Sequence, residues 1–519
     1  MPKQSTEYLI QLVSNLTSAE KRNFRLFVNR NNSKSDKLFV QLFDALDKSK
    51  KHDDQTILAK IPTLKPIQLS NVKANLYRQL LSSLRHIERN NQIDIAVREN
   101  LDYSKILYSK GLYKASLALL DKTKKQARQN GLHSSALVAL EFEKYIESQY
   151  VTGSMYPKAK QITDETDELI SRLDLTNDLS NLSISMYALY LQYGHVKRGE
   201  NYDKVTNIFK DSMPPVEVYD LDFYQKLYLF QSYVWYNFMI QDFPNNYRYA
   251  QKWVDLFREH PEKITSDTAF YIKGLHNVLS ALFMAGRYDR FTQNLELLNN
   301  FSFDLNRALT KNEEGQLTLY QSIHAIHLIF LTGLYDEGAP NMLQIEKLIE
   351  QNKYEWDLHK IMVIRYKIAC IYFGANKLDR AINLLNKITT YSYTEIREDI
   401  QCYSRILSLV CHFDLGNEIL VSYQVKSVYR FLLKTEQQQE VLKEIFKFLR
   451  KTPNILPSEI NGEFKKLRDR LLKLQDDPFE RRPFLYFDII SWLESKINNS
   501  RIQTEIKKKI QIKSNALAR

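Results

Sequence analysis

The stretch SIHAIHLIFL, residues 322 to 331, sets His324 and His327 three apart on one face of an otherwise apolar helix. Two imidazoles at that spacing can begin a metal site, but a metal needs three or four placed ligands and no third lies nearby in sequence. The reading is therefore a structural pair at a helix interface. Glu313 and Glu314 are adjacent carboxylates in a polar connector. Nothing around them supplies the desolvation that acid–base catalysis needs. Glycine-rich phosphate loops, GxSxG elbows and HExxH helices are missing from the sequence. No catalytic residue, metal ligand or cofactor is expected.

Two other groups of residues are suited to binding. The segment YLFQSYVWYNFMIQDFPNNYRYAQKW, residues 228 to 253, is the densest aromatic run in the chain. Rings with polar tips bind well because each buries a large apolar area and still offers a hydrogen bond. Tyr228, Gln231, Tyr233, Trp235 and Tyr236 are the candidate groove for a peptide or partner protein, set against the alternative that these rings fill a helical core. The second group is Arg78, Arg85 and Arg89, with Lys73 on their flank. They project from a helix at residues 69 to 90 whose buried stripe is Val72, Leu76, Leu80, Leu84 and Ile87. Such a face could touch a polyanion, although a solvated helix face is the simpler account.

The elements carrying these residues follow from composition. In 519 residues there are 13 Gly and 13 Pro, against usual shares of about 7% and 5%, which predicts long helices with few breaks. Cys370, Cys402 and Cys411 are odd in number and lack CxxC spacing, so they read as buried apolar fillers. No apolar run approaches the roughly 18 residues of a membrane span, and the amino terminus lacks a signal-like stretch. A cytoplasmic protein with no membrane partner is expected. Charge is concentrated at the ends: residues 1–100 carry 17 Lys/Arg against 10 Asp/Glu, and residues 496–519 carry 7 against 1, within a total of +12. Attraction for nucleic acid would belong to those ends.

Between them a pattern repeats. A turn residue, an aromatic or aliphatic anchor two later and a small residue three beyond recur with anchors at Tyr113, Tyr156, Tyr202, Tyr247, Tyr288, Tyr335 and Leu378. The separations of 41 to 47 residues lie in the range of stacked helical hairpins. The turn positions Gly111, Asn245, Gly286, Gly333 and Asn376 suit a left-handed helix end. Ser116, Ala159, Ala250, Gly338 and Ala381 hold the small position, which lets two helix axes approach. Outside the array, LTSAEKRNF carries a capping box, Thr17 with Glu20.

The segments GLYKASLALL, GRYDRFTQNLELL and NKLDRAINLLNKI resemble the second-helix half of the tetratricopeptide repeat. The longer period, with Val205 and Phe291 at the small position, makes this a divergent array with longer helices. LGNEILVSYQVKSVYRFLLK and FDIISWLESKI further resemble the ends of uncharacterised bacterial repeat proteins. The resemblance implies an all-α fold: an α-solenoid of about seven hairpins at 96–450, a basic N-terminal helical bundle at 1–95 and C-terminal capping helices with a basic tail at 451–519. It also implies a non-catalytic scaffold that holds a peptide or partner protein on the concave face. The alternative is a regulator whose N-terminal bundle contacts nucleic acid while the array senses a partner. An enzyme on helical hairpins is the third reading.

Overall fold

A computed structural model describes residues 3–28, 34–48, 53–150, 155–196, 199–305, 307–390, 398–434, 440–452, 455–475, 477, 480, 484 and 486–517. Among these the secondary structure is helical throughout, with no strand. Two compact units divide the chain, residues 1–174 and 175–519. The first holds α1 (Lys3–Asn15), α2 (Ser18–Val28), α3 (Lys34–Asp47), α4 (Asp54–Lys60), α5 (Pro66–Glu88), α6 (Ile93–Ser109), α7 (Tyr113–Gln129), α8 (His133–Gln149) and the first half of α9 (Met155–Tyr193). The second continues through α10 (Glu200–Asp211), α11 (Phe223–Met239), α12 (Phe243–Glu259), α13 (Pro261–Ser266), α14 (Thr268–Met284), α15 (Tyr288–Asp304) and α16 (Lys311–Thr332). It ends with α17 (Tyr335–Gly338), α18 (Met342–Gln351), α19 (Leu358–Gly374), α20 (Leu378–Thr389), α21 (Glu398–Asp414), α22 (Glu418–Lys434), α23 (Glu440–Lys451), α24 (Ile460–Gln475), α25 (Ile489–Asn498) and α26 (Ile502–Leu517).

One corner recurs in both units. At Gly111 (φ 76°), Gly286 (φ 65°) and Asn376 (φ 55°) the backbone turns left-handed, and the next helix begins two residues later at Tyr113, Tyr288 and Leu378. The amide after the left-handed residue reaches back to a carbonyl of the closing turn: Leu112 to Leu107 at 3.0 Å, Arg287 to Leu282 at 3.0 Å, Lys377 to Tyr372 at 2.7 Å. These bonds satisfy carbonyls that the helix end would otherwise leave bare.

Three of the expected frames differ: at Tyr202 the positive-φ residue is Gly199 (φ 128°), and α10 already begins at the frame's turn residue Glu200. Between α11 and α12 the left-handed residue is Gln241 (φ 63°), and Asn245 instead lies in the first turn of α12, its amide bonded to the Asp242 carboxylate at 3.2 Å. The corner therefore starts four residues before the Asn245–Tyr247 frame. Phe243 takes the anchor place, and Asn246 the small place, its amide donating to the Val234 carbonyl at 2.8 Å. Ser116 makes the same bond to the Ser104 carbonyl at 2.8 Å. A shift of four is about one helical turn, so Ala250 is still fully buried. In the Tyr156 frame the turn residue Ser154 lies outside the described residues, and the anchor and small positions are not packed. Tyr156 is 81% exposed and Ala159 is exposed, at the start of α9.

Within the first unit, α1 to α5 enclose a core of Leu9, Phe24, Leu42, Phe43, Ile57 and Leu76. The capping box of α2 forms, Thr17 N–H to Glu20 at 2.6 Å and Glu20 N–H to the Thr17 hydroxyl at 3.3 Å. Helices α7, α8 and α9 are joined by buried Lys124, which meets Glu143 and Glu165 at 2.8 Å each, while Lys158 closes on Glu143 at 2.6 Å.

In the second unit one apolar core runs from Leu179 to Ile506. Each helix packs on its chain neighbour, and α14, α16, α19 and α21 also touch in series. Tyr335 packs its ring on Gly374 of α19, where a Cβ would collide with it. The carboxy-terminal part lies across this series. Tyr486 faces Phe283, His327 and Phe330, and Phe487 meets Phe373 edge-on at 5.2 Å. Trp492 and Lys496 bond Asp414 at 3.0 and 2.9 Å. Ile506 and Ile510 of α26 flank Gly333, and Gln503 accepts from the Asp336 amide at 2.7 Å. No described helix is long and apolar enough to cross a membrane.

Candidate functional site: a lysine and histidine seam in the second unit

Three helices packed in series bring polar residues together inside this core. Lys273 and His276 lie three apart on α14, Tyr320, His324 and His327 share one face of α16, and Lys360 and Lys367 lie seven apart on α19. These spacings point all seven side chains along one seam.

His276 stacks flat on Tyr320, centroids 3.9 Å apart, and its Nδ1 meets Nε2 of His324 at 2.9 Å. His327 stacks on Phe283 at 4.0 Å. The Lys367 ammonium donates to its Nε2 at 2.7 Å, which leaves the His327 proton on Nδ1. Lys367 also lies 4.7 Å from the Tyr486 ring centre. At the other end the Lys273 ammonium sits over Tyr187 and Trp235, 5.5 and 5.6 Å from their centres. Lys360 pairs with Asp357 at 2.7 Å.

The electrostatics follow from enclosure. Burial, then the charges of Lys367, Lys273 and Lys360, hold His276 down to about 3. Burial with the neighbouring cations keeps His324 and His327 well below the ordinary histidine range. All three rings are neutral at pH 7. Burial and then Lys360 lower Lys273 to about 8, so it remains mostly charged at neutral pH. Among the described residues the Lys273 ammonium has no hydrogen-bond or ion-pair partner, only the two rings.

The residues singled out from sequence take various places. His324 and His327 do sit at a helix interface, and no cluster of three or more metal-capable groups occurs among the described residues. Glu313 caps α16 through the Thr310 amide at 2.8 Å and pairs with Arg307 at 2.7 Å. Glu314 accepts from the Tyr354 hydroxyl at 2.7 Å.

Of the aromatic group, Gln231 is buried and accepts from the Ser183 hydroxyl at 3.1 Å. Tyr228, Tyr233, Trp235 and Tyr236 are half-buried. Tyr233 stacks on Tyr249 at 4.0 Å and Tyr236 on Phe209 at 4.1 Å. Trp235 lies over Tyr187 and Tyr190 and adjoins Lys273.

In the first unit Arg78, Arg85 and Arg89 are exposed. Arg85 meets Asp102 at 3.3 Å and Arg89 meets Glu99 at 2.6 Å, both acids on α6, while Arg78 bonds Asn75. Lys73 belongs to the other side. It is 3% exposed and bonds Asp54 at 2.6 Å.

Sequence reasoning missed Lys273, His276, Lys360 and Lys367. The signal was present in YIKGLHNVLSALF: two ionisable side chains three apart in one of the most apolar helices of the chain. Compared with known families, curated proteins and solved structures, the chain matches none.

Proposed function

We propose that this chain is a non-catalytic protein-interaction scaffold: a divergent tetratricopeptide-like α-solenoid of about seven hairpins, working in the cytoplasm. It binds a peptide or partner protein on the face where α9, α11, α14 and α19 present Tyr187, Trp235, Lys273 and Lys360. One observation carries this reading. Lys273 is a half-buried cation with no counter-ion among the described residues, its ammonium held over the Tyr187 and Trp235 rings. Partial burial of a charge is costly unless something pairs with it. Cation–π contact offsets part of that cost, up to about 2 kcal/mol when desolvated. The remainder is relieved when a partner supplies the anion. The half-buried Trp235 beside it offers the kind of aromatic anchor that dominates interface energies.

A photo-crosslinking amino acid at position 235 tests the reading, with Tyr423, 77% exposed on α22, as the control position. In native cytoplasm the probe at 235 should give a discrete adduct that the probe at 423 does not. Lys273→Ala should abolish that adduct without loss of helical circular dichroism. Equal labelling at the two positions, or an adduct indifferent to Lys273→Ala, would overturn the proposal.

A further inference from the structure

Resting on the binding face proposed above, the chemistry of the partner's segment can be read from the rings beside Lys273. Tyr187 and Tyr190 lie three apart on α9, and Trp235 and Phe238 three apart on α11, so each pair shares one side of its helix. The two pairs interleave into one run. Tyr187 meets Trp235 at 4.8 Å between centroids, Trp235 stacks on Tyr190 at 5.2 Å, and Tyr190 meets Phe238 edge-on at 5.5 Å. The Lys273 ammonium closes one end, 5.5 Å from the centre of Tyr187 and 5.6 Å from that of Trp235. Among the described residues the Trp235 indole nitrogen and the Tyr187 and Tyr190 hydroxyls have no hydrogen-bond partner. All four rings are half-buried and keep part of their surface in water. Asp357, the acid whose charge reaches Tyr187, is held by the Lys360 ammonium at 2.7 Å and the Lys360 amide at 2.9 Å.

We propose that Tyr187, Tyr190, Trp235 and Lys273 bind a proline-rich segment of the partner in the polyproline II conformation, with one acidic residue seated at Lys273. The fixed polar groups of the run are donors: an ammonium and an indole N–H can only donate, and the two phenols can join them. An ordinary extended segment brings an amide N–H with every residue and would set those amides against donors. Proline has no N–H, and a polyproline II segment has no internal hydrogen bonds, so its carbonyls are free to accept. Its rings fit clefts lined by aromatic side chains, and its conformation is set beforehand, so little chain freedom is lost on docking. A nucleobase, by contrast, binds by stacking on a ring face. Trp235 is already engaged by Tyr190 stacked on it and Lys273 over its ring. One unpaired ammonium calls for one carboxylate. Through Trp235, Lys273 and the Tyr190 ring are no more than about 11 Å apart. Polyproline II rises about 3.1 Å per residue, so the acid lies within about three residues of the proline seated at Tyr190.

The probe is a fluorescent nonapeptide with glutamate at its centre and proline at every other position, which serves either chain direction, titrated with the full chain by anisotropy. One control peptide carries glutamine at the centre, a second keeps the glutamate and has serine for every proline, and oligothymidylate is the nucleic-acid control. The glutamate peptide should bind saturably, the glutamine peptide about fivefold more weakly, and the serine peptide at least about tenfold more weakly. Lys273→Met should lower the glutamate peptide to the level of the glutamine peptide and leave the latter unchanged, a pattern that lost folding does not produce. Lys273→Arg should keep the preference, since the charge remains. Trp235→Phe, which keeps a ring and removes the indole N–H, should weaken both proline peptides about threefold. The proposal is overturned by no saturable binding of the glutamate peptide, by equal binding of the serine peptide, or by a glutamate preference that survives Lys273→Met. Oligothymidylate binding more tightly than the glutamate peptide also overturns it. An adduct at position 235 with no binding of the proline peptides leaves the scaffold reading standing and removes this one. The converse result, proline-peptide binding without any adduct, removes the scaffold reading alone.

Discussion

Each histidine of the seam is a titrating group whose consequence can be worked out. The folded pKa of His276 is about 3, and those of His324 and His327 are also well below 6.5, the value they resume on unfolding. Below pH 6.5 the unfolded chain therefore binds protons that the folded chain refuses. Stability from these rings is complete above pH 6.5 and is lost as pH falls towards their folded values. Between pH 6.5 and 5 each ring contributes up to about 1.4 kcal/mol per pH unit, before the carboxylates titrate. Urea unfolding across that window should show a clear slope, reduced by His276→Asn. A flat profile would mean that the rings are not enclosed as described. The pair His324 and His327 was legible as structural because apolar residues surround it in sequence. Their partners were not, since His276 and Lys367 arrive from helices 48 and 40 residues away.

At the scale of the helix corner, the sequence was most legible where glycine or asparagine marks the turn. A left-handed residue costs a side chain roughly 1–2 kcal/mol, which makes glycine a readable signal. Gln241 hides its corner because glutamine rarely takes that conformation, and the pattern was placed four residues late. Gln241→Gly should accordingly stabilise the protein by about 1 kcal/mol, read as a raised unfolding midpoint. A loss of stability would show that the Gln241 side chain is needed where it is. The opposite sign is expected at Gly374, whose missing Cβ makes room for the buried Tyr335 ring. Gly374→Ala should cost about 1–3 kcal/mol, because the ring has packed neighbours on its other sides. If the midpoint does not move, Tyr335 and α19 are not in this register. The contact also explains the anchor itself. Its ring docks on the first helix of the following hairpin, a relation that spacing within one hairpin could not reveal.

Over the whole chain, charge was the least informative signal. The near-neutral stretch between the basic ends conceals Lys273, Lys360 and Lys367 in one seam, since a sum over residues is blind to where folding gathers them. The basic tail is likewise part of the packing. Helix α26 carries Lys507, Lys508 and Lys509, yet Ile502 and Ile506 on it are buried, 8% and 5% exposed. Gly333 lies beneath Ile506 and Ile510, and its left-handed corner (φ 68°) leaves no Cβ to hold them off. Two ion pairs join the helix to residues outside it, Lys507 with Glu337 at 3.5 Å and Lys509 with Asp488 at 2.8 Å. The first is exposed, so it contributes little, and the burial of the isoleucines decides the energetics. Each buried isoleucine stabilises by roughly 1.5–3 kcal/mol. Ending the chain after Asn499 should therefore cost about 3 kcal/mol or more and uncover an apolar strip on α16. The expected signs are a lower urea midpoint and new binding of a hydrophobic dye. Charge reversal of Lys507 and Lys508 should do neither, because Lys508 is exposed and bonded within its own helix to Glu505. If the truncated chain kept the full midpoint while the charge reversal lowered it, the tail would be held by its charges and the packing account of α26 would fail.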